Sequence, residues 1–365
     1  MALYPGNLGG TFGADIASVT RIATSAPFSR YLAEEIYERS AFVKSGALQT
    51  SGALNNTTGT RIEVPFYNSL STVKETVRSD STWGTAGNGA VTAQKVTAAT
   101  QYATILHNAF GYAMDDLSRY ETNEDALNFV RTQMSQDIDR MRTRTLVSML
   151  TGILGPGGTL NATNSLDVSE ATAGSETEAN FISAATCTRA KYLLGERAGS
   201  LQTLVIHPDV AAYLEQVGML QFSSTALATG QGIQWGGGGI GVTSTQVGAA
   251  FGLNIIVDSQ VPIRGTSGQN MQYVCYLLGN GAIQTGSQYP LAVFSEYNIL
   301  SFQTEMSVKW SSIYHVPGVT WAASTDNPED PALATPANWN CVYSEPKLIP
   351  VVELVVNSPM GGIVA

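Results

Sequence analysis

Residues 122–154 read TNEDALNFVRTQMSQDIDRMRTRTLVSMLTGIL, and the fold turns on this stretch. Thr122-Asn123 offers an N-cap, and Glu121, Glu124 and Asp125 suit the positive end of a helix dipole. Apolar residues recur at Leu127, Val130, Met134, Ile138, Met141, Leu146 and Met149, mostly three or four apart, which marks one buried helix face. Arg140, Arg142 and Arg144 fall in the later half, where the dipole favours cations. The pattern predicts a helix over residues 124–153, stopped by Gly155-Pro156-Gly157-Gly158. At 1.5 Å per residue it would be roughly 45 Å long, more than the width of a small domain.

Upstream, residues 61–66 (RIEVPF) read as a strand. Residues 67–100 are polar, lack helical periodicity and centre on the Gly-rich run Trp83-Gly84-Thr85-Ala86-Gly87-Asn88-Gly89. A structureless stretch of this length is uncommon inside a compact domain. A long hairpin that leaves the body fits better. An isolated hairpin is marginal in water, so its expected support is a neighbouring subunit. On it, Lys74, Glu75, Arg78 and Trp83 are the candidate intersubunit contacts. Residues 1–30, rich in Gly, Ala, Ser and Thr, read as an extended arm, with a short helix candidate at 31–37.

Downstream, residues 157–180 read as a polar surface loop. The pattern then turns α/β: a helix over 181–198, a strand over 201–207, a helix from Pro208 to Val217, and strands at 253–257 and 273–278. Residues 223–250 read as a long Gly- and Ser/Thr-rich loop. After 290 the chain reads as mostly β, with strands at 291–308, 312–316 and 350–356 and a loop at 322–338.

The chain has 365 residues, 44% of them hydrophobic, enough for two or three lobes. Only 13% are charged, about half the usual quarter. Surface so poor in charge suits large contacts with other subunits. Net charge is −10: residues 1–150 carry 13 basic and 14 acidic side chains, residues 151–365 carry 6 and 15. No concentrated basic patch exists to grip nucleic acid by counterion release. Cys187, Cys275 and Cys341 are far apart and odd in number, and read as free thiols of a reducing compartment. No signal peptide and no run near the ~20 apolar residues of a membrane span is visible, so the expected site of folding is a cytoplasm without membrane contact.

Chemistry-bearing patterns are weak. The run Gly236 to Gly239 lacks the Lys or helix start of a phosphate loop. His107, His207 and His315 form no metal-ligand spacing, and no GxSxG elbow occurs. The expectation is no catalytic residue, no cofactor and no metal.

Eight stretches, in order, resemble one family: EIYERSAFVKSGAL (35–48), VPFYNSL (64–70), HNAFGYAMDDLSRYETNEDAL (107–127), TLVIHPDVAAYLEQVGML (203–220), NIIVDSQVP (254–262), YVCYLLGNGAI (273–283), YHVPGVTW (314–321) and TPANWNCVYSEPKLIPVVELVVN (335–357). Together they are similar to tailed-bacteriophage major capsid proteins of the Hong Kong 97-like fold. The resemblance implies an α+β fold with an N-terminal arm and short helix (1–60) and an extended β-hairpin loop (61–106). It implies a peripheral domain with a long spine helix (107–184), an α/β axial domain (185–290) and a β-rich return to the peripheral domain (291–365). It implies a structural protein that self-assembles as hexamers and pentamers into an icosahedral shell around phage double-stranded DNA, built in the host bacterial cytoplasm. The implied partners are a scaffold protein, separate because no scaffolding segment precedes the arm, a portal, decoration proteins, and DNA held without sequence preference. In some relatives a loop lysine forms an isopeptide bond; Lys74 and Lys95 lie here, but no partner is identified. Arg140, Arg142 and Arg144 are expected to face the lumen, closer to it than the acidic loop residues Asp326, Glu329 and Asp330. The competing classes are a nanocompartment shell subunit of the same fold and a soluble β-rich enzyme or binder.

Overall fold

The computed structural model describes residues 41–55, 58–67, 96–115, 126–219, 221–222, 247–265 and 270–360. The expected arm, the helix at 31–37, the hairpin tip with Lys74, Glu75, Arg78 and Trp83, the cap at Thr122-Asn123 and the tetraglycine run lie outside the described residues. Helices in chain order are α1 (Ala41–Lys44), α2 (Ala126–Leu154), α3 (Asn161–Asn164), α4 (Ala184–Lys191), α5 (Pro208–Gln216) and α6 (Asp330–Leu333). Strands are β1 (Leu48–Thr50), β2 (Arg61–Tyr67), β3 (Ala98–Asp115), β4 (Ser165–Asp167), β5 (Leu201–Ile206), β6 (Gln221–Phe222), β7 (Val247–Ala250) and β8 (Leu253–Val257). They continue with β9 (Ile263–Arg264), β10 (Gln272–Gly279), β11 (Ile283–Gly286), β12 (Ala292–Asn298), β13 (Gln303–His315), β14 (Val319–Trp321), β15 (Trp339–Cys341) and β16 (Val351–Asn357).

The first sheet runs β1-β11-β13-β3-β2, with β12 also on β13. Strand β13 alternates as its sequence does. Thr304, Met306, Val308 and Trp310 are buried, while Glu305, Ser307 and Lys309 are exposed. Around β13 the pairing is antiparallel, with one face covered and one wet, while β1 joins β11 in parallel at the edge. Met134 and Ile138 of α2 cover it, packing with Val293, Met306, Val308 and Trp310. Farther along, α2 loses its polar side. Leu146, Val147, Met149, Leu150, Ile153 and Leu154 are all buried in the main core. A helix apolar over so wide an arc must be enclosed.

The second sheet runs β4-β16-β10-β5-β8-β7-β6, with β9 on β10. Strand β10 is buried on both faces, which explains its unbroken run YVCYLL. Val274, Tyr276 and Leu278 point to the core shared with α2, and the Tyr276 hydroxyl lies 3.0 Å from Thr151 Oγ1 on that helix. Tyr273, Cys275 and Leu277 point the other way, onto Cys187 and Ala190 of α4 and Val210, Ala211 and Leu214 of α5. Helix α5 starts as Pro at its first position requires, with His207 capping the Asp209 N–H through Nδ1.

Four expectations change. The stretch 291–308 is a hairpin of β12 and β13, not one strand. Within the polar run 157–180, β4 pairs parallel with β16, and buried Asn164 donates to the carbonyls of Ile349 and Val351. The helix expected over 181–198 ends at Lys191 and passes into 3-10 turns broken at Gly195, where φ is 61°. Residues 247–250, expected as loop, form β7. Sheet membership also crosses the expected segments: β4, from 107–184, and β16, from 291–365, both belong to the sheet of β5, β8 and β10.

Candidate functional site

The three arginines of α2 do not share a face. At about 100° per residue, Arg140 and Arg144 lie on one side and Arg142 nearly opposite. Arg140 and Arg144 are exposed. Arg142 is half-buried, its Nε enclosed without a hydrogen-bond partner. Its charge opposes the upward push that burial gives the Tyr314 hydroxyl.

A strap formed by residues 318–339 crosses from the first sheet to this helix. Gly318 N–H donates to Gln101 Oε1 at 2.8 Å, and Thr320 Oγ1 accepts from Tyr102 N–H at 2.8 Å. Arg61 Nε donates to Asp326 Oδ1 at 3.1 Å, and Asn327 Oδ1 accepts from the His107 N–H at 2.8 Å. At the far end the Asp330 carboxylate takes Arg144 Nε and the Thr145 hydroxyl. Gly152 lets the strap close on α2, since a Cβ there would overlap the Leu333 carbonyl oxygen and the Trp339 ring. Trp339 Nε1 donates to that same carbonyl at 2.7 Å and packs edge-on against Trp321. Arg144 and Asp330, expected at different depths of a shell wall, are an ion pair, and Asp326 is paired with Arg61.

The strap anchors the base of the expected projecting hairpin. Strands β2 and β3 pair antiparallel from Arg61↔Thr104 to Tyr67↔Ala98. Tyr67, the last described residue before the connection, is 79% exposed.

Elsewhere the titratable groups serve packing. Burial pushes His315 down to about 4, and its Nε2 has no hydrogen-bond partner. His107 is exposed and stacks on Tyr289. Burial pushes the Cys187 thiol up to about 12, and Cys275 well above its ordinary value. Among the described residues no group of three His, Cys, Asp or Glu could hold a metal. The sequence reading passed over Glu353. It is fully buried on β16, bound by Arg264 and by the Ser165 hydroxyl at 2.8 Å. Burial raises its carboxyl and Arg264 opposes the rise. The signal was there: one carboxylate inside the apolar run VVELVV.

The contacts of the strap join the first sheet to α2. The fold is similar to that of the capsid of Ralstonia phage GP4, with a TM-score of 0.53 and 12% identity over 86% of this chain and 88% of that one. It is similar also to the cyanophage Pam1 capsid, with a TM-score of 0.52 and 11% identity over 88% and 92%. The likeness defines the class, a mixed helix and sheet fold of phage capsid subunits. No curated protein matches the chain in sequence. Residues 98–328, well over half the chain, match the phage capsid protein family, and the chain belongs to it. It is a structural major capsid protein, a component of the virion capsid, and copies of it form the shell.

Proposed function

We propose that this subunit assembles as hexamers and pentamers into an icosahedral shell of Hong Kong 97-like design around phage double-stranded DNA. Family membership over 98–328 carries the reading. The low charge content supports it, because weakly hydrated surface favours contact between copies. In this reading α2 is the spine of a peripheral domain with the first sheet, and the second sheet is the axial domain. The connection between Tyr67 and Ala98, with Lys74, Glu75, Arg78 and Trp83, reaches a neighbouring copy. Arg140 and Arg144 face the lumen and meet DNA without sequence preference, with affinity that falls as salt rises. The subunit catalyses nothing. Its other partners are a scaffold protein, a portal and decoration proteins, and assembly takes place in the host cytoplasm.

Electron microscopy of particles purified from bacteria expressing the chain with its scaffold tests this. Closed shells with five-fold and six-fold clusters are expected, with DNA rather than an enzyme cargo in particles from infected cells. A monomer under every condition overturns the reading.

A further inference from the structure

Asp209, at the second position of α5, is only 1% exposed. A buried carboxylate needs hydrogen-bond donors. Its Oδ2 takes the Tyr273 hydroxyl of β10 at 2.6 Å, while its Oδ1 has no hydrogen-bond partner. His207 Nδ1 lies 3.6 Å from Oδ2, but that nitrogen is already the acceptor for the Asp209 N–H. The phenolic proton of Tyr273 is therefore the main donor to this carboxylate. The same hydroxyl faces a second acceptor, the Met271 sulfur, at 3.4 Å. A thioether accepts weakly, so the carboxylate holds the proton. Met271 is 39% exposed, whereas Tyr273 and Asp209 are enclosed. Its backbone is fixed, since Asn357 Nδ2 donates to its carbonyl at 2.9 Å. Met271 thus stands at the outer end of a line of contacts that reaches a charge in the core.

We infer that Met271 is an oxidation site for peroxide-class oxidants, and that its sulfoxide loosens the start of α5 from the second sheet. In that step a sulfur lone pair attacks one peroxide oxygen. An S–O bond forms, the O–O bond breaks, and the second oxygen leaves as water after proton transfer. The thioether is oxidised by two electrons and the peroxide is reduced. The product is polar, and its oxygen accepts strongly with no proton to give. The unbranched methionine side chain lets that oxygen swing toward the hydroxyl. Tyr273 then has one phenolic proton for two strong acceptors. Whatever share the sulfoxide takes is lost to Asp209, whose other oxygen has no partner. The enclosed carboxylate regains donors only by moving toward water. Helix α5 begins at that carboxylate, and Ser358 Oγ donates to the Asp209 carbonyl at 2.9 Å, so the movement also frees the segment that follows β16.

The test uses the purified full chain and hydrogen peroxide. Met219, 41% exposed and just past the other end of α5, is the internal comparison. Peptide mass spectrometry follows sulfoxide at both residues, hydrogen exchange follows the amides of 209–214, and thermal unfolding follows the whole chain. Met271 should oxidise at a rate comparable to that of Met219. Its oxidation should speed exchange at the start of α5 by about tenfold or more. It should also lower the unfolding temperature by about 3 °C or more. A methionine sulfoxide reductase should reverse both changes. Met219→Leu should keep these shifts and Met271→Leu should lose them. Met271→Gln, which offers a side-chain carbonyl oxygen to the same hydroxyl, should speed the same exchange without oxidant. Oxidation of Met271 more than about tenfold slower than that of Met219 overturns the site. Full oxidation there with unchanged exchange, or equal shifts in Met271→Leu, overturns the coupling to Asp209.

Discussion

Arg144 on α2 and Asp330 at the start of α6 are bound to each other across 185 intervening positions of chain, with Thr145 donating to the other oxygen of the same carboxylate. One basic and one acidic residue, expected at different depths of a shell wall, thus occupy one place. Any surface that presents Arg144 presents Asp330 with it, which leaves Arg140 as the less neutralised cation of the pair on that face. The Arg144 side chain is 67% exposed, so the ion pair itself is worth under about 1 kcal/mol. Arg144→Ala should cost no more than that in urea unfolding. Asp330→Ala also strips the Thr145 bond and should cost about 1–2 kcal/mol. A double-mutant coupling near 3 kcal/mol would show the pair to be far better shielded than its exposure allows.

Gly152 is the tightest point between strap and helix. Gly→Ala within a helix ordinarily stabilises by up to about 1 kcal/mol. Here the added methyl meets the Leu333 carbonyl and the Trp339 ring. Gly152→Ala should therefore destabilise by about 2–4 kcal/mol, as overpacking against backbone does. Gly199→Ala, where a Cβ meets nothing within 4 Å, is the control and should be near neutral. Equal thermal shifts for the two variants would count against the close approach.

Met134 and Ile138 are fully buried against the first sheet, whereas Gln133 is half-buried and donates to the Asp137 carboxylate. Ile138→Ala should cost about 2–5 kcal/mol and Gln133→Ala under about 1 kcal/mol. Met134→Asp should be worse than Ile138→Ala, since it buries a charge without a partner. Chemical denaturation ranks the three; similar losses at 133 and 138 would mean the helix face is assigned wrongly.

His315 makes stability depend on pH in a stated direction. Its ordinary value of 6.5 applies to the unfolded chain, and burial holds it at about 4 in the fold. Between those values the unfolded chain takes up a proton that the folded chain refuses, so stability falls with falling pH. The contribution is fully present above pH 6.5 and lost as pH drops through about 4. It amounts to roughly 3 kcal/mol at most. His315→Phe, which cannot titrate, should lose about 2–3 kcal/mol less than the unaltered chain between pH 7.5 and 4.5. Parallel losses for both proteins would show that His315 is solvated.

What the sequence made legible is what periodicity records. The three- and four-residue spacing of Met134, Ile138, Leu146 and Met149 located α2, described over Ala126–Leu154, to within one residue at its end. Runs such as YVCYLL and LVI located β10 and β5 because both faces are buried. The β12–β13 turn was missed because Ile299, Leu300 and Phe302 look like strand interior. Strand β4 was missed because Ser165 and Asp167 are polar edge residues held by pairing rather than burial. The strap was read as free loop because its attachments, Asp326 to Arg61, Asn327 to His107 and Asp330 to Arg144, join residues that are 186 to 265 positions apart. Grouping Arg140, Arg142 and Arg144 by nearness in sequence ignored the helical turn that sends the middle one inward.

Strand β3 runs unbroken for 18 residues, paired with β2 over its first part and with β13 over the rest. Stretched at about 3.3 Å per residue, it is a single tendon of roughly 60 Å. Its ladder bonds lie perpendicular to the strand. A pull along the chain at the Ala98 end therefore loads them in shear, all together, instead of peeling them one at a time. Force arriving through the connection that follows Tyr67 would be spread along the whole sheet before any bond could fail. A closed shell pushed outward from within puts its subunits under in-plane tension, and a strand lying along the wall would share that load in this way.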